Sequence, residues 1–219
     1  MKSTTLFALL LSLMMTSCLD AQINTGSGDQ TSTPVDQLTD FDAIALGTSA
    51  DVYVTPGDFD VRMEGPKDDL DRMVLNVEDG QLSIGKKSGN WNWSRSGVKV
   101  YVSMPTIRSI AIGGSGNVKV TEAFDQLGDL EISIGGSGDV DFKGQMAKEV
   151  SISVAGSGDV DASELNAASC DVSIAGSGDV KIGEVEQLKV SVAGSGDVRY
   201  KGNPTIDKSI VGSGDVIKM

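Results

Sequence analysis

The sequence contains no histidine, so the commonest general base and a preferred zinc ligand are both missing. Ser-His-Asp hydrolases, Cys-His proteases and most catalytic zinc sites are thereby excluded in their usual forms. Cysteine is nearly as scarce: Cys18 and Cys170 are the only two, too few for a disulfide framework. Aromatic residues make up 5% of the chain, so any local cluster of them stands out. Cations are outnumbered as well, 18 Lys+Arg against 31 Asp+Glu, for a formal charge of -13. A body of that sign repels phosphate backbones and anionic lipid surfaces, so no nucleic-acid partner is expected. What remains, in 219 residues with 27 glycines, is long enough for one or two globular domains.

The longest apolar stretch lies at the start, where Met1-Lys2 precedes the run from Leu6 to Met15, interrupted by Ser12, and then Thr16-Ser17-Cys18. This is the layout of a secretory signal over residues 1–17, and it is too short to span a bilayer. The small residues before Cys18 resemble the lipobox of bacterial lipoproteins, in which the cysteine is lipidated and becomes the mature N-terminus. An ordinary thiol beside a signal cleaved elsewhere is the other reading. The first reading makes the protein an exported outer-membrane lipoprotein, facing the cell surface or the periplasm, with a lipid anchor in the membrane. It leaves Cys170 without an intramolecular partner. Residues 18–37, rich in Gly, Ser, Thr and Asp without apolar periodicity, have the composition of a flexible tether.

The body is repetitive. Gly-Ser-Gly followed by Asn or Asp and then Val begins at Gly114, Gly136, Gly156, Gly176, Gly194 and Gly212, at intervals of 22, 20, 20, 18 and 18 residues. Such regularity is the signature of a solenoid. Before the glycines lie alternating runs such as Leu130-Glu131-Ile132-Ser133-Ile134 and Val150-Ser151-Ile152-Ser153-Val154; after them come shorter ones such as Val140-Asp141-Phe142. Period two with β-branched residues predicts strands, two per repeat, joined at a glycine corner where positive φ is permitted. A unit this short cannot bury its apolar side alone, so successive units must stack, and residues 111–219 are expected to form a regular parallel β-helix.

Stacking gives each position a direction. Ile132, Ile134, Ile152, Val154, Val172, Ile174, Val190 and Val192 are expected to point inward, and Ser133, Ser153, Ser173 and Ser191 to form an outward column. Cys170 takes the inward slot held elsewhere by Leu130, Val150 and Leu188, and reads as a small core residue. Residues 38–110 lack the glycine signature but keep strand character, punctuated by Pro56-Gly57, Gly65-Pro66 and Asp79-Gly80. They are expected to form irregular early coils, the alternative being a separate sheet that caps the first coil.

Val52-Tyr53-Val54 before Pro56-Gly57, the run Asp79-Gly80-Gln81-Leu82-Ser83-Ile84, and Val98-Lys99-Val100-Tyr101-Val102-Ser103-Met104-Pro105 lead into the iterated Gly-Ser-Gly-Asp-Val. Together they resemble the auto-transporter adhesin head (GIN) domain family over about residues 40–217. The resemblance implies an all-β, right-handed parallel β-helix of pectate-lyase-like architecture in exported proteins, and a role in adhesion.

Three functions compete on the residues. A binding or adhesion module would present a flat, hydroxylated strip, centred on Ser133, Ser153, Ser173 and Ser191, to a glycan or surface protein; the same small residues could equally just keep a parallel sheet soluble and stacked. Trp91 and Trp93, flanked by Lys86-Lys87 and Arg95, are either a ligand platform or a lid over the early coils. A polysaccharide-active enzyme is suggested only by fold analogy, and no unique pair of carboxylates supports it. A third possibility is a metal site along Asp139, Asp159, Asp179, Asp197 and Asp215, which would form one edge column. Against calcium, the Asp falls one position early for the nonapeptide solenoid and the period is wrong, and an Asp after Gly-Ser-Gly can instead bond the backbone of its own turn. The sequence therefore points to a non-catalytic envelope module without a cofactor. A self-associating scaffold is the alternative, since no C-terminal cap is visible beyond a protective Lys208 and an open strand stack tends to pair.

Overall fold

The structure is a computed structural model that describes residues 30–35, 38–87, 97–125 and 127–219. Its alternating segments become β1 (Gln30–Pro34), β2 (Ala43–Leu46), β3 (Asp51–Pro56) and β4 (Asp60–Pro66), then the short helix α1 (Lys67–Leu70). Next come β5 (Met73–Glu78), β6 (Gln81–Lys86), β7 (Lys99–Met104), β8 (Ser109–Ile112) and β9 (Val118–Val120). The glycine-marked repeats hold β10 (Leu130–Ile134), β11 (Val140–Phe142), β12 (Met146–Gly156), β13 (Val160–Ala162) and β14 (Asn166–Gly176). The last coils are built from β15 (Val180–Gly194), β16 (Val198–Lys201), β17 (Thr205–Gly212) and β18 (Val216–Lys218).

The expected β-solenoid is the observed fold. Two parallel ladders run along it: sheet B through β8, β10, β12, β14, β15 and β17, and sheet A through β9, β11, β13, β15, β16 and β18. Equivalent residues of successive repeats stand in register, as in Ile132–Ile152–Val172–Val190. Each of these four is at most 1% exposed, and the inward residues of both ladders belong to one continuous cluster. Burying one such side chain contributes about 1.5–3 kcal/mol, and a slip of one residue would turn the whole column outward, so the apolar pattern itself fixes the register.

The early coils are not stacked in chain order. β2 lies between β6 and β8, and β3 between β7 and β9, all parallel. The coil made first is thus held between two coils made later. Antiparallel strands finish this end: β4 on β7, β1 on β4 and β5 on β6. The segment after residue 38 therefore contains both coils and a capping layer. Residues 30–34, of tether composition, form strand β1 along β4.

The corner glycines have a second reason beside the one expected. Positive φ is found at Gly156, Gly176, Gly194 and Gly212 (159°, 148°, 148° and 135°), but not at Gly136. What all these corners share is close stacking. A Cβ on Gly136, Gly156, Gly176, Gly194 or Gly212 would fall on the carbonyl oxygen of the glycine one coil earlier. That oxygen accepts the N–H of the next coil's serine, as in Ser157 to Gly136 at 3.1 Å and Ser177 to Gly156 at 2.9 Å.

Candidate functional site

Alternation along β10, β12, β14, β15 and β17 sends every second side chain out from sheet B. Ser133, Ser153, Ser173 and Ser191 are brought into one column, and Ser209 extends it. At ~4.8 Å per coil the five hydroxyls span about 19 Å. Beside them runs the column Glu131–Ser151–Asp171–Lys189–Asp207, and on the other side Ala155–Ala175–Ala193–Val211.

Next to this strip the sheet folds inward and makes a groove of about 520 Å³. A third column, Glu149–Ser169–Gln187–Thr205, forms its far wall, and Ser151, Asp171, Lys189 and Asp207 its near wall. Three ion pairs sit on it: Lys148 meets Asp129 at 3.6 Å and Glu149 at 3.5 Å, and Lys189 meets Asp171 at 3.2 Å. Being exposed, they contribute little to stability and remain available for exchange with a ligand. Sequence reasoning did not find this groove. Its signal was a break in the alternation, where two polar residues in succession, Lys148-Glu149 and Glu186-Gln187, are both exposed and mark the bend.

Cys170 lines the groove floor but is 2% exposed. Burial, with a smaller contribution from the Asp171 charge, pushes its thiol up to about 12, so it is a packed side chain and not a nucleophile.

The aspartates at the corners do form a column, but not by bonding their own turns. Oδ1 of Asp139 accepts the N–H of Asp159 at 2.9 Å, and the relation repeats from Asp159 to Asp179, Asp179 to Asp197 and Asp197 to Asp215 at 2.7–3.0 Å. Asn117 starts the series, receiving the Asp139 N–H at 3.0 Å and donating to Asp51 at 2.9 Å. Arg199 spans two members, reaching Asp179 at 2.8 Å and Asp197 at 2.9 Å. Partial burial works to raise the Asp179 pKa, but the Asp197 N–H and the Arg199 guanidinium outweigh it and hold the carboxyl below its ordinary value. Among the described residues no group of three or more His, Cys, Asp or Glu stands close enough to hold a metal ion.

The outer face of sheet A is occupied by its own ladder. Arg62 lies 4.4 Å over the Tyr101 ring, Tyr101 stacks on Tyr53 at 5.3 Å, and Lys119–Asp141 and Lys181–Asp161 pair at 2.7 and 3.0 Å. With its groups satisfying one another, this face offers less to a ligand than the groove. Trp91, Trp93 and Cys18 lie outside the described residues.

The chemistry available on sheet B is reversible hydrogen bonding by hydroxyls, an amide, carboxylates and an ammonium along a repeating line. No curated protein matches the chain. Among solved structures, a "putative adhesin" from Bacteroides fragilis shares 24% identity at a TM-score of 0.71, over 88% of this chain and 98% of that one. A "putative lipid binding protein" from Parabacteroides distasonis shares 25% at 0.56, over 89% and 98%. A "putative adhesin" from Parabacteroides merdae shares 16% at 0.50, again over 89% and 98%. Residues 40–204 match the family described as "Putative auto-transporter adhesin, head GIN domain". With most of its length inside that match, and with the stacked coils the sequence resemblance implied, the chain belongs to the auto-transporter adhesin head GIN domain family.

Proposed function

We propose that the protein is a non-catalytic adhesion module of the cell envelope, exported by the signal at residues 1–17 and held by a lipid on Cys18. In this reading sheet B is the working face, and a glycan or a surface protein lies along the groove and the serine column beside it. The observation that carries it is the groove itself, a solvent-open channel that crosses successive coils and presents a polar side chain from each wall at every step, though of changing chemistry: Glu149, Ser169, Gln187 and Thr205 facing Ser151, Asp171, Lys189 and Asp207. Repeated, evenly spaced contacts suit a polymer, because each coil adds a weak interaction and the sum sets the affinity. Membership of an adhesin-type family supports the surface role.

The test is to probe arrays of surface glycans and envelope proteins with the protein and with two variants. One replaces Ser169 and Gln187 in the groove by Ala; the other replaces Ser153, Ser173 and Ser191 by Lys. Loss of signal in either variant, with unchanged melting, locates the binding surface. Full retention in both removes sheet B from the proposal.

A further inference from the structure

Two inward columns of the solenoid end in lysine. On sheet B, Ile152–Val172–Val190 is followed in register by Lys208. On sheet A, Ala162–Ile182–Tyr200 is followed by Lys218. Both lysines stand on the last coil at positions where earlier coils bury apolar side chains, and both are exposed there. Lys218 donates to the neutral Asn203 side chain at 2.6 Å.

Two other features of this coil invite a neighbour. Among the described residues β17 pairs with β15 alone and β18 with β16 alone, so each leaves an outer row of backbone donors and acceptors open. Of six exposed large apolar side chains among the described residues, four belong to this coil: Ile206, Val211, Ile217 and Met219. The opposite end differs, since antiparallel strands lie across it. An open parallel edge with apolar flanks best fits another strand edge of its own kind. A lipid surface would leave the backbone groups unpaired, which hydrocarbon heavily disfavours.

We infer that Lys208 and Lys218 are paired stops that prevent a second copy of the chain from stacking on the last coil, and that without their charges this edge becomes a self-association surface. Covering the edge would draw two ammonium groups, one per ladder, into an apolar interior that offers them no carboxylate. Inward charge on an edge strand is a known way to block pairing. The self-association expected from an open strand stack is thus checked from inside, on both ladders at once.

The experiment is sedimentation velocity on the full chain in one detergent buffer, comparing wild type, Lys208→Val/Lys218→Val, and a control that loses the same charge elsewhere, Lys86→Val/Lys143→Val. Wild type and control are expected as single copies. The double variant is expected as dimers or longer stacks, half-associated at a concentration at least tenfold lower than wild type. Lys208→Met/Lys218→Met, which keeps the long stems, must behave in the same way if the Val variant fails to give a native circular dichroism spectrum. A double variant that stays a single copy, a wild type that associates as strongly, or a control that associates equally would overturn the inference.

Discussion

Oδ1 of Asp159 accepts the backbone N–H of Asp179, one full coil further along the chain, at 2.7 Å. The side chain therefore acts between coils, and its acceptor oxygen matters more than its charge. Asn117 does the same for Asp139 without a charge. Asp159→Asn is accordingly expected to melt close to wild type. Asp159→Ala leaves one N–H unpaired and should lose about 1 kcal/mol. In a chain of this size that lowers Tm by ~2–4 °C in a thermal scan.

Acid should loosen the same corner. Asp179, and Asp161 beside it, have folded pKa values below their ordinary ones. For Asp161 partial burial pushes upward, but the Ser163 hydrogen bonds and Lys181 pull further down. A carboxyl held low in the folded state stabilises above its unfolded pKa, about 3.9 for Asp, and the stabilisation is lost as pH falls through the folded value. Melting temperatures should fall below about pH 4, and Asp161→Asn/Asp179→Asn should show a shallower fall over that range. Parallel profiles for the two proteins would remove these carboxylates from the explanation.

Adjacent glycines should respond in opposite ways. A methyl on Gly135 would meet nothing nearer than the Ile112 carbonyl at 3.8 Å, and the equivalent positions of the next three coils are Ala155, Ala175 and Ala193. Gly135→Ala is therefore expected to be neutral. A methyl on Gly136 would strike the Gly114 carbonyl, which is backbone and cannot yield without separating the coils. Gly136→Ala should cost about 1–3 kcal/mol, the usual range for overpacking, read from denaturant midpoints.

Cys170 should be silent toward thiol reagents until the protein unfolds. With its pKa pushed up to about 12 and the side chain buried, the native thiolate fraction at neutral pH is negligible. Labelling by a disulfide reagent should track the unfolding curve, and Cys170→Val should keep wild-type stability, since Val150 fills the neighbouring position in register. Rapid labelling of native protein would show that the coil opens locally at β14.

The sequence made the regular coils readable because two independent signals agree there. Alternation at Val150–Val154 assigns the faces, and the glycine corner at Gly156 assigns the phase, so the inward and outward columns follow. Before residue 110 only the first signal exists. Alternation in Ala43–Leu46 says that Ile44 and Leu46 are buried, but not that the neighbours are β6 and β8 instead of the next strand in the chain. The Asp column was legible as a column, whereas its bonding direction depends on the vertical spacing of coils, which no single repeat contains. The groove was missed because it arises from a bend where Lys148 and Glu149 both face out. Lys218 was missed because β18 has only three residues, too few for a period to reveal its inward position.

The placement of β2 and β3 between coils that follow them has a consequence for assembly. As the chain emerges from its N-terminal side, β2 and β3 have no companion until β6 and β7 can slide beneath them and β8 and β9 above. Until then their apolar positions stay wet, and closing that sandwich demands contacts across long stretches of chain, the slow kind. Each later coil needs only the one just laid, so the rest can zip up from a finished foundation. A lesion such as Ile44→Asp should therefore delay maturation of the whole rod, while the same change near the far end would fray only the tip.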